Sequence, residues 1–186
     1  MGKHIVSGRF RLFHSIKGVC FPIVAHDFAQ VFGVFPDDKY KGSYREILRI
    51  LAIETDERSI IQFIRRLTYS VLIGNGDMHL KNWSLIYLDR HRPTLAPAYD
   101  LLSTLANLPD DDAALKFHQS RAWSFFTYEE LSAIADRARL PAQLVIATAK
   151  ETVEQFDMLW AQERTHLPFS VEVATAIEAH RRRLAI

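Results

Sequence analysis

Hydrophobic positions near the start of the chain alternate with polar ones, which is the spacing of short strands. Residues 5–13 alternate loosely, residues 19–24 form a second extended stretch, and Lys17-Gly18 between them predicts a turn. The two stretches can therefore pair as a hairpin. Residues 26–32 then predict a short helix.

Helical spacing begins at Ser43, after which apolar residues recur every three to four positions. Ser43, with Glu46 three residues later, predicts an N-terminal cap. Thr55 or Asp56 caps the next helix, which is the longest convincing one. That helix has one broad apolar stripe, formed by Ile60, Ile61, Phe63, Ile64, Leu67, Val71 and Leu72.

The last third of the chain predicts three further helices. Thr127 with Glu130 opens the first, and Pro141 starts the second, which reaches about Arg164. Pro168 or Ser170 opens the third. Because no repeat, low-complexity tract or linker divides the chain, residues 1–186 predict a single domain.

The middle of the chain predicts a different order of elements. A helix ends at residues 74–76 and a polar loop follows at residues 77–82. Two short strands come next, at residues 83–88 and 94–97, and then an acidic residue at position 100. Residues 89–93 form the turn of this hairpin, and residues 101–108 predict a helical turn. The sequence therefore predicts a mainly α-helical domain with one central β-hairpin.

Asp77, Asn82 and Asp100 lie at the two ends of that hairpin, where their side chains can converge. Two carboxylates and an amide oxygen suit Mg²⁺, which shares its coordination shell with substrate phosphates. The same spacing serves phosphoryl transfer, in which the first Asp orients a hydroxyl and the Asn and second Asp hold metal. Simpler roles stay open for the three residues: a turn Asp, an Asn at a strand start and an Asp that caps the next turn.

Composition excludes several classes of partner. With 186 residues, 48% of them hydrophobic, the chain can bury a core without disulfides or a structural metal. A net charge of +1 gives no basic surface for direct contact with nucleic acid. Cys20 is the single cysteine, which fits a reducing compartment. No apolar run is as long as a membrane span and no signal-peptide core is present, so we expect a cytoplasmic protein with no membrane partner.

Two stretches resemble the HipA-like serine/threonine kinases of bacterial toxin–antitoxin systems. Residues 74–82 have the pattern Gly-Asn-x-Asp-x-His-x-Lys-Asn, and residues 95–104 have the pattern Leu-x-Pro-x-Tyr-Asp-Leu-Leu-Ser-Thr. Residues 26–33, with Lys39-Tyr40, are similar to the helix upstream of these motifs, and the last helix is similar as well. The resemblance implies the C-terminal helical lobe of a protein-kinase-like fold.

The resemblance also implies an activity, namely transfer of the γ-phosphoryl group of ATP to a protein Ser or Thr with Mg²⁺ as the metal. Asp77 would orient or deprotonate the hydroxyl, and Asn82 and Asp100 would hold the ion. Lys81 would neutralise the transferring phosphate or else stay solvated. His79 would support the loop through a hydrogen bond or take a direct part in the chemistry.

The resemblance further suggests partners. A translation-related protein such as an aminoacyl-tRNA synthetase is the implied substrate, and a DNA-binding antitoxin is the implied partner. The basic surface that contacts DNA would belong to that antitoxin.

A kinase also needs a glycine-rich loop over the phosphates and a lysine that contacts ATP, and the sequence contains neither. The resemblance implies that family members carry both in an N-terminal lobe before the equivalent of Phe10, where the hinge meets adenine. We therefore expect a catalytic lobe with an incomplete ATP site, inactive by itself, that works with a separate N-terminal lobe.

Two other classes of function stay open. One is a non-catalytic kinase-like remnant that binds a partner and transfers nothing. The other is a metal-dependent phosphate-ester hydrolase, which needs more than two carboxylates or a second metal to activate water.

Overall fold

The computed structural model describes residues 11–16, 19–88 and 91–186. The predicted turn at residues 17 and 18 lies outside the described residues. So does the part of the first predicted strand before residue 11, including Phe10, together with residues 89 and 90 of the predicted hairpin turn.

One antiparallel sheet contains both predicted hairpins. Its strands, in spatial order, are β1 (Arg11–Ile16), β2 (Val19–Asp27), β3 (Ser84–Tyr87) and β4 (Pro93–Leu95). The predicted central hairpin is the pair β3–β4, in which Ile86 lies opposite Thr94. The two hairpins join because β2 also pairs with β3, with Asp27 opposite Ser84.

This join corrects one boundary. His26 and Asp27 lie in β2 rather than in a helix, because their backbone pairs with β3. The helix that follows, α1 (Phe28–Val31), has four residues, and the Asp27 carboxylate caps it by accepting the Gln30 N–H at 2.8 Å. The predicted fold class is confirmed as mainly helical, with its hairpin inside a four-stranded sheet rather than alone.

The longer helices are α2 (Tyr44–Glu54), α3 (Glu57–Leu72), α4 (Tyr128–Arg137), α5 (Ala142–Glu163) and α6 (Val171–Arg181). A side-chain oxygen caps four of them by accepting the backbone N–H three residues later, and the capping residues are Ser43, Asp56, Thr127 and Ser170. The predicted caps at Ser43 and Thr127 are confirmed. Asp56 and Ser170 decide the two choices that the sequence left open. No helix in the described part of the chain is long and apolar enough to span a membrane.

The helical turn predicted over residues 101–108 is shorter than expected. The N–H groups of Asn107 and Leu108 donate to the Thr104 carbonyl at 3.0 and 2.9 Å. Residues 101–103 stay outside this turn because the Thr104 N–H itself donates to the Gly74 carbonyl at 3.2 Å. The chain is thereby drawn back onto the end of α3.

The apolar core surrounds α3, which packs against α2, α5 and β4. Phe63 of α3 lies with its ring centroid 4.7 Å from that of Trp83, just before β3. The fully buried Tyr44 donates its hydroxyl hydrogen to the Met78 carbonyl at 3.0 Å. Burial of each such side chain contributes roughly 1.5–3 kcal/mol. The core therefore fixes the end of α3 and the polar loop that follows it.

Candidate active site

The site is built from two stretches of mostly irregular backbone, which we call the first site segment (residues 74–82) and the second site segment (residues 96–104). The first ends in a short 3-10 helix, Leu80–Asn82. The first begins at Gly74, which ends α3 in the left-handed region with φ +65°. A Cβ at Gly74 would collide with the Leu105 side chain. Glycine is therefore needed there both for the backbone conformation and for the close approach of the two segments.

Asn82 and Asp100 come together, as the hairpin pattern predicted. The Asn82 Nδ2 donates to the Asp100 Oδ2 at 3.2 Å. Asp100 itself has φ +53°, a left-handed conformation that Asp tolerates better than most residues. We call these two residues the candidate metal ligands, since their oxygens are hard ligands suited to Mg²⁺.

The oxygen of Asn82 fits this assignment. The Oδ1 atom is buried and has no hydrogen-bond partner. A buried polar atom without a partner is uncommon and calls for an explanation such as an ion. Within the described residues no group of three or more His, Cys, Asp or Glu side chains could hold a metal. The ligands that this chain offers are thus one carboxylate and one amide, and Mg²⁺ commonly takes few protein ligands beside substrate phosphates.

Asp77 lies in a separate hydrogen-bonded group. The Tyr40 hydroxyl donates to the Asp77 Oδ1 at 2.6 Å, and this bond is the largest cause that raises the pKa of Tyr40 to about 12. His79 places its Nε2 3.7 Å from the same oxygen. The Asp77 side chain is half exposed, so it can reach a substrate from solvent.

His79 supports the loop by packing, which differs from the hydrogen bond expected from the sequence. Its Nδ1 is buried without a hydrogen-bond partner, and its ring meets the Tyr40 ring edge-on at a centroid distance of 5.2 Å. Burial, and next the charge of Lys39, lower the pKa of His79. The ring is therefore neutral near pH 7.

A cleft of about 620 Å³ lies beside the two site segments, and we call it the site cleft. His79, Lys81 and Asp100 line it, together with Lys39 and Tyr99. Lys81 is exposed on its wall, and the Lys81 carbonyl accepts the Tyr99 hydroxyl hydrogen at 2.8 Å. Of the predicted site residues, the structure thus pairs Asn82 with Asp100 and brings His79 near Asp77. His79, Lys81 and Asp100 line the site cleft, whereas Asp77 and Asn82 do not.

Two residues that touch the predicted site were missed by the sequence reasoning about chemistry. Tyr40 bonds Asp77 from 37 positions away, and no local pattern reports such a contact. Asn75 bonds both site segments, and the sequence analysis gave it no role beyond its place in the glycine-flanked helix end and in the pattern of residues 74–82. A polar side chain held between two glycines at the end of a buried helix is the signal that could have indicated it.

Comparison with known proteins identifies the family of the chain. The model of the HipA-like C-terminal domain family matches residues 3–160. Two proteins of Sinorhizobium fredii are similar: one named "Putative kinase Y4dM", 54% identical over 156 residues, and one named "Putative kinase Y4mE", 32% identical over 110 residues. The first alignment covers 83% of this chain and the second 55%.

A solved structure shares the fold. The Shewanella oneidensis toxin–antitoxin complex of HipA, HipB and operator DNA contains a chain that matches with a TM-score of 0.71 at 19% identity, over 92% of this chain. The present chain spans 45% of that protein, 38% of Y4dM and 26% of Y4mE. Since the family model covers most of the sequence, the chain belongs to the HipA-like C-terminal domain family.

Proposed function

We propose that this chain is the catalytic lobe of a HipA-like kinase, which transfers the γ-phosphoryl group of ATP to a Ser or Thr of a protein. The observation that carries the proposal is the buried, unpartnered Oδ1 of Asn82 beside the carboxylate of Asp100. Family membership supports the kinase class, because the matched relatives are named as kinases.

In this proposal each residue has one task. Asp77 orients the substrate hydroxyl and accepts its proton. Tyr40 engages Oδ1 of Asp77, which leaves Oδ2 for the hydroxyl. Asn82 and Asp100 would hold Mg²⁺, whose charge, when it is bound, neutralises the phosphate oxygens.

Lys81 and His79 have the remaining roles in the proposed site. Lys81, exposed on the wall of the site cleft, offers a positive charge to the anionic nucleotide. His79 keeps the loop in shape as a neutral ring, because its lowered pKa leaves little of the protonated form near pH 7.

We further propose that a separate N-terminal lobe covers the nucleotide. The chain spans 38% of the length of Y4dM, and the expected phosphate loop and ATP-contacting lysine would lie in the remainder. Positioning of the reacting groups is worth roughly 7–11 kcal/mol of activation barrier. Turnover by this chain alone is therefore expected to be very low.

The proposed partners follow the structural relative, which is a complex of HipA with HipB and operator DNA. We propose an antitoxin that binds DNA as partner, and a translation-related protein such as an aminoacyl-tRNA synthetase as substrate. Both contacts would occur in the cytoplasm, where ATP is available.

The test measures phosphoryl transfer from labelled ATP with Mg²⁺, with and without a separately supplied HipA-like N-terminal lobe. We expect transfer to protein only when the lobe is present, and expect Asp77→Ala to abolish it. Asp136→Ala, which removes an exposed carboxylate on α4, is the matched control and should leave transfer unchanged.

Other outcomes favour the alternatives. Robust phosphorylation by the chain alone would refute the need for a second lobe. Absence of transfer under both conditions would favour a kinase-like module that binds a partner. Release of phosphate to water without labelled protein would favour the hydrolase.

A further inference from the structure

We infer that Asn75 is a positioning residue that holds the ligand Asp100 in register with Asp77. This inference rests on the proposed function, because it concerns the proposed ion ligands. The geometric basis is a single side chain that bonds both site segments: its Oδ1 accepts the Asp77 N–H at 3.1 Å, and its Nδ2 donates to the Asp100 carbonyl at 3.0 Å.

The chemistry of the side-chain amide explains why an Asn suits this place. An amide carries an acceptor and a donor on one planar group, and here each is directed to the backbone of a different proposed catalytic residue. Asn75 is 1% exposed, so water cannot replace a lost bond at low cost. A backbone group left without a partner in such a place is strongly unfavourable.

The backbone conformation of Asp100 gives its hydrogen bond with Asn75 a role in positioning the carboxylate. Asp100 has φ +53°, a sparsely populated conformation for a residue other than glycine, which surrounding contacts must hold. The hydrogen bond from Asn75 to the Asp100 carbonyl is such a contact. It fixes the backbone from which the carboxylate meets the Asn82 Nδ2 at 3.2 Å.

Thr104 provides a second tie between the segments. Its hydroxyl oxygen accepts the Gly76 N–H at 2.9 Å, and the hydroxyl donates to the Gly74 carbonyl at 3.2 Å. Asn75 and Thr104 thus fix the same two stretches on either side of the helix end. Thr104, however, does not contact Asp77 or Asp100 in these bonds, so we expect a smaller effect from its loss.

The fold of α3 does not require the Asn75 side chain. The Asn75 backbone N–H donates to the Ser70 carbonyl at 2.8 Å, and this bond survives any substitution except proline. Loss of the side chain is therefore expected to loosen the two segments relative to each other rather than to shorten the helix. Partners that orient metal ligands typically cost about 10–100-fold in metal affinity when removed.

The experiment uses Mn²⁺ as the probe and the full chain in solution. Mn²⁺ broadens NMR signals of nearby nuclei, so the wild type should lose the amide signals of Asn82 and Asp100 first during a titration. Asn75→Ala should need at least about ten-fold more Mn²⁺ for the same broadening. It should also speed hydrogen exchange of the Asp77 amide, because that N–H loses its acceptor.

The matched control is Ser59→Ala. Ser59 is 5% exposed and its hydroxyl oxygen accepts the Leu95 N–H at 3.3 Å, so its loss also removes a buried bond between distant segments. It lies at the other end of α3 from the site. The thermal midpoint should fall for both variants, whereas the Mn²⁺ titration should move for Asn75→Ala only.

The outcomes separate this inference from the proposed function. Equal Mn²⁺ titrations for Asn75→Ala and Ser59→Ala, with a wild type that binds, would overturn the role of Asn75 and leave the ion site standing. No broadening in the wild type, or undiminished broadening in Asp100→Asn, would overturn the ion site and this inference with it. If Asn75→Ala does not fold, Asn75→Ser decides, because its shorter side chain is still polar but lacks the amide donor to the Asp100 carbonyl. An unchanged titration overturns the inference and a shifted one supports it.

Discussion

The core around α3 and the two site segments are held in different ways. In the core, Phe63, Ile64 and Leu67 are at most 1% exposed and pack on apolar neighbours. In the site segments the backbone is mostly irregular, and Tyr40, Asn75 and Thr104 hold it through hydrogen bonds of 2.6–3.2 Å.

The difference separates stability from geometry. Burial of apolar surface has no preferred direction and accounts for most of the free energy of folding. A hydrogen bond is directional, contributes only about 0.5–1.5 kcal/mol net, and places atoms to within tenths of an ångström. We therefore expect core substitutions to change stability strongly, and most site substitutions to change function at little cost in stability.

The largest effect is expected in the core. Leu67→Ala should lower the free energy of unfolding by about 2–5 kcal/mol, since it leaves a cavity against the buried faces of neighbouring helices. Ile53→Ala is the control, because Ile53 is 65% exposed on α2 and should move the same quantity by within about 0.5 kcal/mol. Denaturant unfolding measures both, and equal values would contradict the assignment of the core.

The next largest loss of stability is expected at Gly74, where α3 ends and the first site segment begins. Gly74 and Gly33 both have φ +65°, but a Cβ at Gly74 would collide with Leu105 whereas one at Gly33 meets nothing within 4 Å. Gly33→Ala should cost about 1–2 kcal/mol for the left-handed backbone alone. Gly74→Ala should cost roughly 1–3 kcal/mol more, since Leu105 must move. Thermal or denaturant unfolding of the two variants gives the difference directly, and identical losses would show that the segments are not closely packed.

Smaller effects are expected at the site itself. Asp77→Ala and Asn82→Ala should each lower the free energy of unfolding by about 0.5–1.5 kcal/mol, the net contribution of one hydrogen bond. Asn82 loses the bond from its Nδ2 to Asp100, and Asp77 loses the bond from the Tyr40 hydroxyl. For Asp100 the fair variant is Asp100→Asn, because alanine at φ +53° would add backbone strain. An unfolded Asp100→Asn protein would show that Asp100 is a structural cap rather than an ion ligand.

The smallest expected effect is a change in the pKa of Tyr40. The hydrogen bond to Asp77 is the main reason that the pKa of Tyr40 is raised to about 12 from its ordinary 10.0. Asp77→Asn should bring the Tyr40 pKa back toward that ordinary value, as followed by NMR of carbon-labelled tyrosine. The pKa of Tyr69 is raised by burial, so Tyr69 is the internal control and should not move.

The sign of the linked stability follows from the same shift. A group whose pKa is raised on folding stabilises the protein below its unfolded pKa and loses that contribution as the pH rises through the folded value. The Tyr40–Asp77 contact should therefore contribute below about pH 10 and fade between about pH 10 and 12. A Tyr40 pKa that is unchanged in Asp77→Asn would contradict the contact.

The parts of the fold that depend on neighbours in sequence were predictable. Ser43 and Thr127 cap their helices because the partner N–H is three residues away. The pairing of Asn82 with Asp100 followed from a short hairpin that returns the chain to its starting point. The length of β2 was not predictable in the same way, since its last residues are held by β3, more than fifty positions away.

The sequence by itself determined the five longer helices of this protein, the central hairpin and the types of residue at the site, because periodicity, capping and turn chemistry act over a few residues. Only the tertiary structure decided that β2 joins the hairpin, that Tyr40 meets Asp77, and that Asn75 bonds both site segments. Apart from the Asn75 bond to the Asp77 N–H, which spans two residues, these are contacts between residues far apart in the chain. Their geometry depends on where the packed core leaves the end of α3, and no local pattern of residues carries that information.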